Sequence, residues 1–404
     1  MTRDEAKRAA ADAIERDADH LVALAEDLHA RPEVAWREHA AVRRCAGAAT
    51  GTGLAVRRPA FGVSTSFAAS GGRRGPLVVL CAEYDALPGL GHACGHNLIA
   101  AAAVGAARAL APLADRLAGR VRLVGCPAEE RGGGKVVLAG RGAFDGANAV
   151  VLVHPSTFDA SSPRLHAAQY LDVECHGRAA HAALAPERGV NALDALVIGY
   201  QGVANLRSRL APADKVHGIV VEGGEAPNIV PAHAAGTFIL RCDRHDRLPS
   251  LAAQVGACFE AGGVATGAGV ELRWRWPAYL PFVPNAPLAA AVEANLRALG
   301  RDPVPLDDIP AQAAGSTDLG NISHLVPCAH PFVRLAPPSV PLHTPGFSRW
   351  ATGAPGVAAV LDGAKLLAAT TIDVWSRPAL RSAMRRALTS DGRRAPPSVA
   401  LGQV

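Results

Sequence analysis

The stretch Leu77-Val78-Val79-Leu80-Cys81-Ala82-Glu83-Tyr84-Asp85 is a short apolar run that breaks into two acids at its end. Such a run, without polar alternation, is what a strand buried on both faces requires, so it reads as a central strand of a parallel sheet. The pattern recurs twice. Val121-Arg122-Leu123-Val124-Gly125-Cys126 hands over to Pro127-Ala128-Glu129-Glu130, and Ala149-Val150-Val151-Leu152-Val153 hands over to His154. Helical segments alternate with these runs, which predicts an α/β domain. In open α/β sheets, ligands collect beyond the carboxyl ends of the strands, so the acids and the histidine are expected on one edge. The loop His92-Ala93-Cys94-Gly95-His96 follows the first strand on that edge. It offers three metal-capable side chains in five residues, just ahead of an alanine-rich run that reads as a helix.

Upstream, apolar positions at helical spacing predict one long amphipathic helix from Arg3 to about Ala30, and a second from Trp36 to about Thr50. Downstream the pattern changes. Strand-like segments at Tyr170 to Cys175, His217 to Val221, Ala235 to Cys242 and Val270 to Trp276 enclose helical ones at Val190 to Leu210 and Leu248 to Ala261. The order βαββαβ is that of a small ferredoxin-like α+β unit interrupting the first domain. The expected layout is a catalytic domain in two parts, 1–168 and 281–380, a smaller domain at 169–280, and a basic, flexible tail at 381–404.

Composition narrows the function. A 404-residue chain readily buries a sizeable core, and 49% hydrophobic with only 4% aromatic residues makes that core mainly Ala, Val and Leu. The formal charge of +5 is modest and the arginines are scattered, so nothing resembles a nucleic-acid surface. The charged start Met1 to Arg8 lacks the apolar centre of a signal peptide, and the most apolar run, Leu98 to Ala107, is too short to span a bilayer. Cysteines at 81, 126, 175, 242 and 258 sit in apolar periodic segments and read as reduced core residues. A cytoplasmic location, with no membrane and no nucleic-acid partner, is expected.

A cocatalytic metal site needs ligands from several strand ends and a carboxylate beside them to take a proton from water. Glu129 and Glu130, as neighbours on an extended segment, point opposite ways, so one can ligate metal while the other faces substrate. Each feature has an ordinary alternative when taken singly: a solvated acidic pair at a helix start, or packed histidines at 154 and 343. Gly132-Gly133-Gly134 lacks the spacing of a phosphate loop and reads as a turn that lets backbone approach the site.

Seven strings in order carry a resemblance: Glu83-Tyr84-Asp85-Ala86-Leu87-Pro88, Gly91 to Asn97, Pro127-Ala128-Glu129-Glu130, His176 to Ala182, Ala226-Pro227-Asn228-Ile229-Val230-Pro231, Gly315-Ser316-Thr317-Asp318 and Leu342-His343-Thr344-Pro345. Together they resemble the M20 family of metallopeptidases and amidohydrolases, on the branch that holds an aminobenzoyl-glutamate hydrolase and a dipeptidase. The resemblance implies a mixed-sheet, zinc-peptidase-like catalytic domain interrupted by a lid and dimerisation domain. It implies that Cys94, His96, Glu130, His154 and His343 hold two divalent ions, zinc first and manganese second, with Cys94 as the bridging ligand. Glu129 would be the general base for a metal-activated water, and Asp85 would orient the metal site. His181 would donate to the oxyanion from the other protomer of a homodimer, while Asn228, Arg241, Ser316 and Thr317 would contact substrate. Glu83 has a less defined role, and His92 and Asn97 stay outside the ligand set.

The function implied is hydrolysis of the amide bond of a small N-acyl amino acid or dipeptide. An aminohydrolase or carboxypeptidase recruited to a biosynthetic step would use the same metal shell. A non-catalytic metal- or ligand-binding homologue is the third reading; loss of Glu129 or a ligand would signal it, and neither is lost.

Overall fold

The computed structural model describes residues 1–309, 315–392 and 394–401. By their internal contacts the residues form two units: Met1–Arg164 with Phe282–Ala313 and Asn321–Val404, and Leu165–Pro281 with Ala314–Gly320.

The larger unit is built on the quoted stretch. Leu77–Glu83 is a strand with all seven residues buried. It runs parallel to Arg120–Cys126 on one side and to Ala147–Val151 on the other. The two following strands therefore lie on opposite sides of the first, which opens a crevice at its carboxyl end. The sheet continues through Cys328–Ala329, parallel to Ala147–Val151, and through Ala68–Gly71 and Ala55–Arg57, which pair antiparallel at the other edge. The result is a mixed six-stranded sheet within a mixed α/β fold. A separate short ladder pairs His154–Ser156 in parallel with Phe332–Arg334.

Helix His96–Ala114 covers this sheet and is itself covered by helices Ala18–Ala30 and Gly353–Ser376. Its 19 residues exceed the Leu98 to Ala107 run expected from sequence, and by length and composition alone it could cross a membrane. Sixteen of its residues are buried in the protein core, which is what its alanines serve: small side chains let the neighbouring helices approach closely.

Two expectations fail here. The opening helix is two helices, Arg3–Arg16 and Ala18–Ala30, separated at Asp17. The break is tertiary: Arg108 donates from Nε and Nη2 to the Asp17 carboxylate at 2.6 and 3.1 Å. The tail is likewise not a loose extension over its described residues; residues 393 and 402–404 lie outside them. Pro378–Ser390 is a helix that buries Leu380 and Met384, and Asn285 Nδ2 donates to Met384 O at 2.9 Å. Its arginines have work to do, because Arg381 Nη1 donates to the last carbonyls of the preceding helix, Val374 O and Trp375 O, at 2.7 and 2.8 Å.

The smaller unit has a four-stranded antiparallel sheet, in the order Gly269–Trp274, Ala167–His176, His233–Cys242, Lys215–Glu222. Helices Ala192–Arg207 and Leu248–Thr266 pack on one face through Leu196, Val203, Val255 and Phe259 against Leu171, Val173, Phe238 and Leu240. Chain order βαββαβ with this strand order is the ferredoxin-like arrangement. The loop around Ser316, expected in the second catalytic segment, belongs to this unit: His166 N–H donates to Gly315 O at 2.8 Å.

Candidate metal centre

The carboxyl end of the central strand places Glu83 and Asp85, and the loop after it delivers Cys94 and His96. Gly95, between them, has φ 80° and sits against Pro155, where a Cβ would come within 2.9 Å of Cγ, so only glycine fits this turn into the helix. The next strand's end supplies Glu129 and Glu130, the third supplies His154, and His343 arrives on a loop with φ 62° whose N–H donates to Ala93 O at 2.9 Å.

These side chains meet. Ligand atoms of Cys94, His96 and His154 lie within 4.8 Å of one another, as do those of Cys94, Glu130 and His343, and those of His96, Glu129 and Glu130. Cys94 is common to the first two groups. Its Sγ is 3.4 Å from His154 Nε2, while His343 Nε2 is 3.6 Å from Glu130 Oε1.

The surroundings choose which ring nitrogen is free. His96 Nδ1 lies 2.9 Å from Asp85 O and 3.1 Å from Asp85 Oδ1, so it carries the proton and donates, leaving Nε2 to the site. His154 does the same with Nδ1 2.6 Å from Pro155 O. The second carboxylate oxygen of Asp85 accepts the Glu130 N–H at 2.9 Å, so one aspartate holds two of the candidate metal-binding residues. Burial, then His330 and His96, press His154 down to about 3, which keeps its imidazole neutral. Burial opposes charge on His96, but Cys94 and Asp85 outweigh it and raise its pKa; burial and Glu130 push the Cys94 thiol up.

The donor set fits a divalent ion. Among the described residues, His96 Nε2 and Glu130 Oε1 are buried without a hydrogen-bond partner, a costly state for polar atoms that a cation relieves. Thiol, imidazole and carboxylate are the ligand types of zinc, and carboxylate also suits manganese. His92 stays out of all three groups; it is buried, tilted against His29 at 6.2 Å between centroids, and pressed by burial to about 3. Asn97 is structural, its Nδ2 donating to Ala25 O and Ala351 O.

Three residues went unnoticed in the sequence. Lys135, on helix Gly134–Ala139, is fully buried and ion-paired with the equally buried Glu83, whose Oε2 lies 3.5 Å from His96 Nε2. His330 is buried and stacked on His154 at 5.6 Å. Glu38 is buried and accepts the Ala128 N–H at 2.8 Å, holding the turn that carries Glu129 at a residue with φ 58°. No periodicity marks a lone charged residue as internal.

Burial, then the Asp85 charge, raises Glu38 from 4.5 to about 8. The folded chain therefore keeps this proton in a range where the unfolded chain has lost it. The associated stability is complete below about pH 4.5 and is lost as pH rises towards about 8, on the order of a few kcal/mol. Urea midpoints across this range should fall for the parent and flatten for Glu38→Gln; parallel pH profiles would refute the assignment.

In the smaller unit, Ala182 N–H donates to Asn228 O at 3.0 Å, bringing the backbones at His181 and Asn228 together. His181 is exposed, and its Nδ1 lies 3.3 Å from the N–H groups of both Ala183 and Leu184. Accepting there, it carries its proton on Nε2. Arg241 Nη1 donates to Ser316 Oγ, and Thr317, buried, accepts the Leu319 N–H at 3.2 Å.

Residues 79–370 match the description of peptidase family M20/M25/M40. The chain is 36% identical over 397 residues to the Xaa-Arg dipeptidase of Mus musculus, covering 94% of this chain and 91% of that protein. It is 31% identical over 310 residues to a p-aminobenzoyl-glutamate hydrolase chain of Escherichia coli K12, covering 72% of this chain and 64% of that one. Among solved structures, a Bacillus subtilis protein described as a dinuclear metal binding peptidase from the M20 family superposes with TM-score 0.67 at 20% identity, over 89% of this chain and 99% of that one. Strand-end side chains of metal-binding type, a buried donor set and these likenesses converge: the chain belongs to peptidase family M20/M25/M40 and is a metallo-amidohydrolase of that family.

Proposed function

We propose that this enzyme hydrolyses the amide bond of dipeptides or small N-acyl amino acids at a centre of two divalent ions, held by Cys94, His96, Glu130, His154 and His343. The observation that carries this reading is the pair of ligand groups sharing Cys94, with Glu129 Oε2 3.9 Å from His96 Nε2. Zinc is the first candidate for this donor set and manganese the second. Such ions polarise an amide carbonyl and acidify water. Glu129, only 7% exposed, accepts the proton of the attacking water and returns it to the departing amine. Asp85 keeps His96 in its tautomer and Glu130 in place. His181 donates from Nε2 to the oxygen on which negative charge develops, and Arg241, Asn228, Ser316 and Thr317 hold the substrate's polar end.

The relative at 36% identity makes dipeptides ending in arginine the first substrates to try. Metal-loaded protein should release free amino acid from members of a panel of such dipeptides and N-acyl amino acids, read by mass spectrometry. Silence across the panel at full metal content would overturn hydrolysis and favour a metal-binding homologue without turnover. A cytoplasmic setting agrees with eight free cysteines.

The reading extends to a homodimer in which the partner's His181 serves each centre. Edge strand Lys215–Glu222 supports it: Ile219, Val220 and Val221 are 66%, 47% and 63% exposed beside a backbone edge that pairs with no further strand among the described residues. His181→Ala and Glu129→Ala proteins, each inactive, should regain up to about a quarter of parental turnover when unfolded and refolded together, since about half the dimers then mix and each carries one intact site. No recovery, with mixed dimers present by mass, would place His181 in the chemistry of its own protomer.

A further inference from the structure

We propose that the smaller unit carries a further divalent-cation site of zinc-like preference on the open face of its sheet, made by Glu174, His176, His233 and Glu271. The strand register builds it. His176 pairs directly with His233, and Glu174 directly with Glu271, across adjacent strands. Residues 174 and 176 are two apart on one strand, so all four side chains rise from the same face, opposite the one covered by helices.

Ligand atoms of Glu174, His176 and Glu271 already lie within 4.8 Å of one another. His233 Nε2 is 3.6 Å from Glu174 Oε2, His176 Nε2 is 4.0 Å from Glu271 Oε2, and the two imidazole centroids are 5.3 Å apart. A tetrahedral ion with bonds of about 2.1 Å holds its ligand atoms about 3.4 Å apart, so small side-chain rotations bring Glu174, His176 and Glu271 onto an ion, and His233 swings in beside Glu174 as the fourth ligand.

A second feature points to a ligand rather than to chance pairing. His233 Nδ1 lies 3.0 Å from Glu222 Oε1 on the neighbouring strand. Glu222 thus holds Nδ1 and turns Nε2 to Glu174, where a cation takes the place of a proton; Glu222, then Glu174, raise the pKa of this imidazole. This carboxylate–imidazole relay orients a metal-binding histidine just as Asp85 does for His96. Three carboxylates surround two imidazoles here, and Arg273 stands 3.8 Å from the other oxygen of Glu174, Oε1, leaving Oε2 to the cluster. Imidazole with carboxylate favours zinc and its neighbours over magnesium or calcium. None of these residues belongs to the hydrolytic centre, and the inference does not rest on the substrate reading.

The test is zinc stoichiometry of the full chain by equilibrium dialysis and elemental analysis. The parent should bind one equivalent more than His176→Ala/His233→Ala, with turnover of the two proteins alike under saturating catalytic metal. Glu174→Gln, which keeps both histidines, should lose the same equivalent. Glu222→Gln should retain it with affinity about 10–100-fold weaker, as expected of a residue that orients a ligand. Equal zinc content in parent, double variant and Glu174→Gln overturns the site. So does a loss of zinc that comes with a parallel loss of turnover, because the ions removed would then be those of the hydrolytic centre.

Discussion

Glu129→Gln is expected to cut kcat by about 10²–10⁴-fold while leaving metal content and substrate KM nearly unchanged. The amide has the carboxylate's shape and hydrogen-bonding reach, so packing at this 7%-exposed position survives. What it lacks is a basic oxygen. In the proposed chemistry that oxygen takes the proton from water and delivers it to the leaving amine, so both halves of the proton transfer are lost. The backbone around residue 129 is fixed from two sides, by Glu38 at the Ala128 N–H and by Asp85 at the Glu130 N–H, and neither contact uses the Glu129 side chain. Loss of turnover cannot then be blamed on a displaced Glu130. Elemental analysis should give equal metal in parent and variant, and steady-state kinetics should put the whole loss in kcat. Undiminished turnover would remove Glu129 from the proton path, whereas a matching loss of metal would make it a ligand instead.

The sequence makes the strand ends legible because a doubly buried strand has a visible signature, and because chemistry placed at its carboxyl end interrupts that signature with a charged residue. Glu83, Glu129, Glu130 and His154 are all found this way, and Cys94 and His96 by their spacing. The helical break at Asp17 is not visible, since its cause is Arg108, distant in the chain and chosen by the fold. The same holds for the docked C-terminal helix, whose arginines read as solvated charge until the carbonyls of Val374 and Trp375 are seen to receive one of them. Gly134 illustrates a half-legible case. The glycine run is readable as a turn, but not that a Cβ at 134 would meet Pro127 O at 1.8 Å, which forces the chain to pass close under the Glu129 turn. That close passage is what carries Lys135 into the interior.

Lys135→Met is therefore expected to be the most destabilising single change beneath the metal centre. Lys135 and Glu83 are both fully buried, and their ammonium and carboxylate are in direct contact. Burial opposes the charge on Glu83 more than any other single influence, yet Lys135, then His96, hold its carboxyl down at about 2, so it stays ionised. Methionine fills the lysine's volume but leaves that carboxylate without its counter-charge. Removing one partner of a buried pair costs about 3–5 kcal/mol, because desolvation of the survivor is no longer offset. Glu83→Gln in the same protein removes the orphaned charge, so the double variant should recover most of the loss, and the cycle isolates the pair from packing. The sign of a further effect follows from position: Glu83 Oε2 lies 3.5 Å from His96 Nε2, so a cation bound by that nitrogen partly replaces the missing ammonium. The urea midpoint of Lys135→Met should fall further below the parent in metal-free protein than in metal-loaded protein. Equal midpoints for parent and Lys135→Met without metal would show that the lysine contributes only its aliphatic stem, and that the charge of Glu83 is balanced elsewhere.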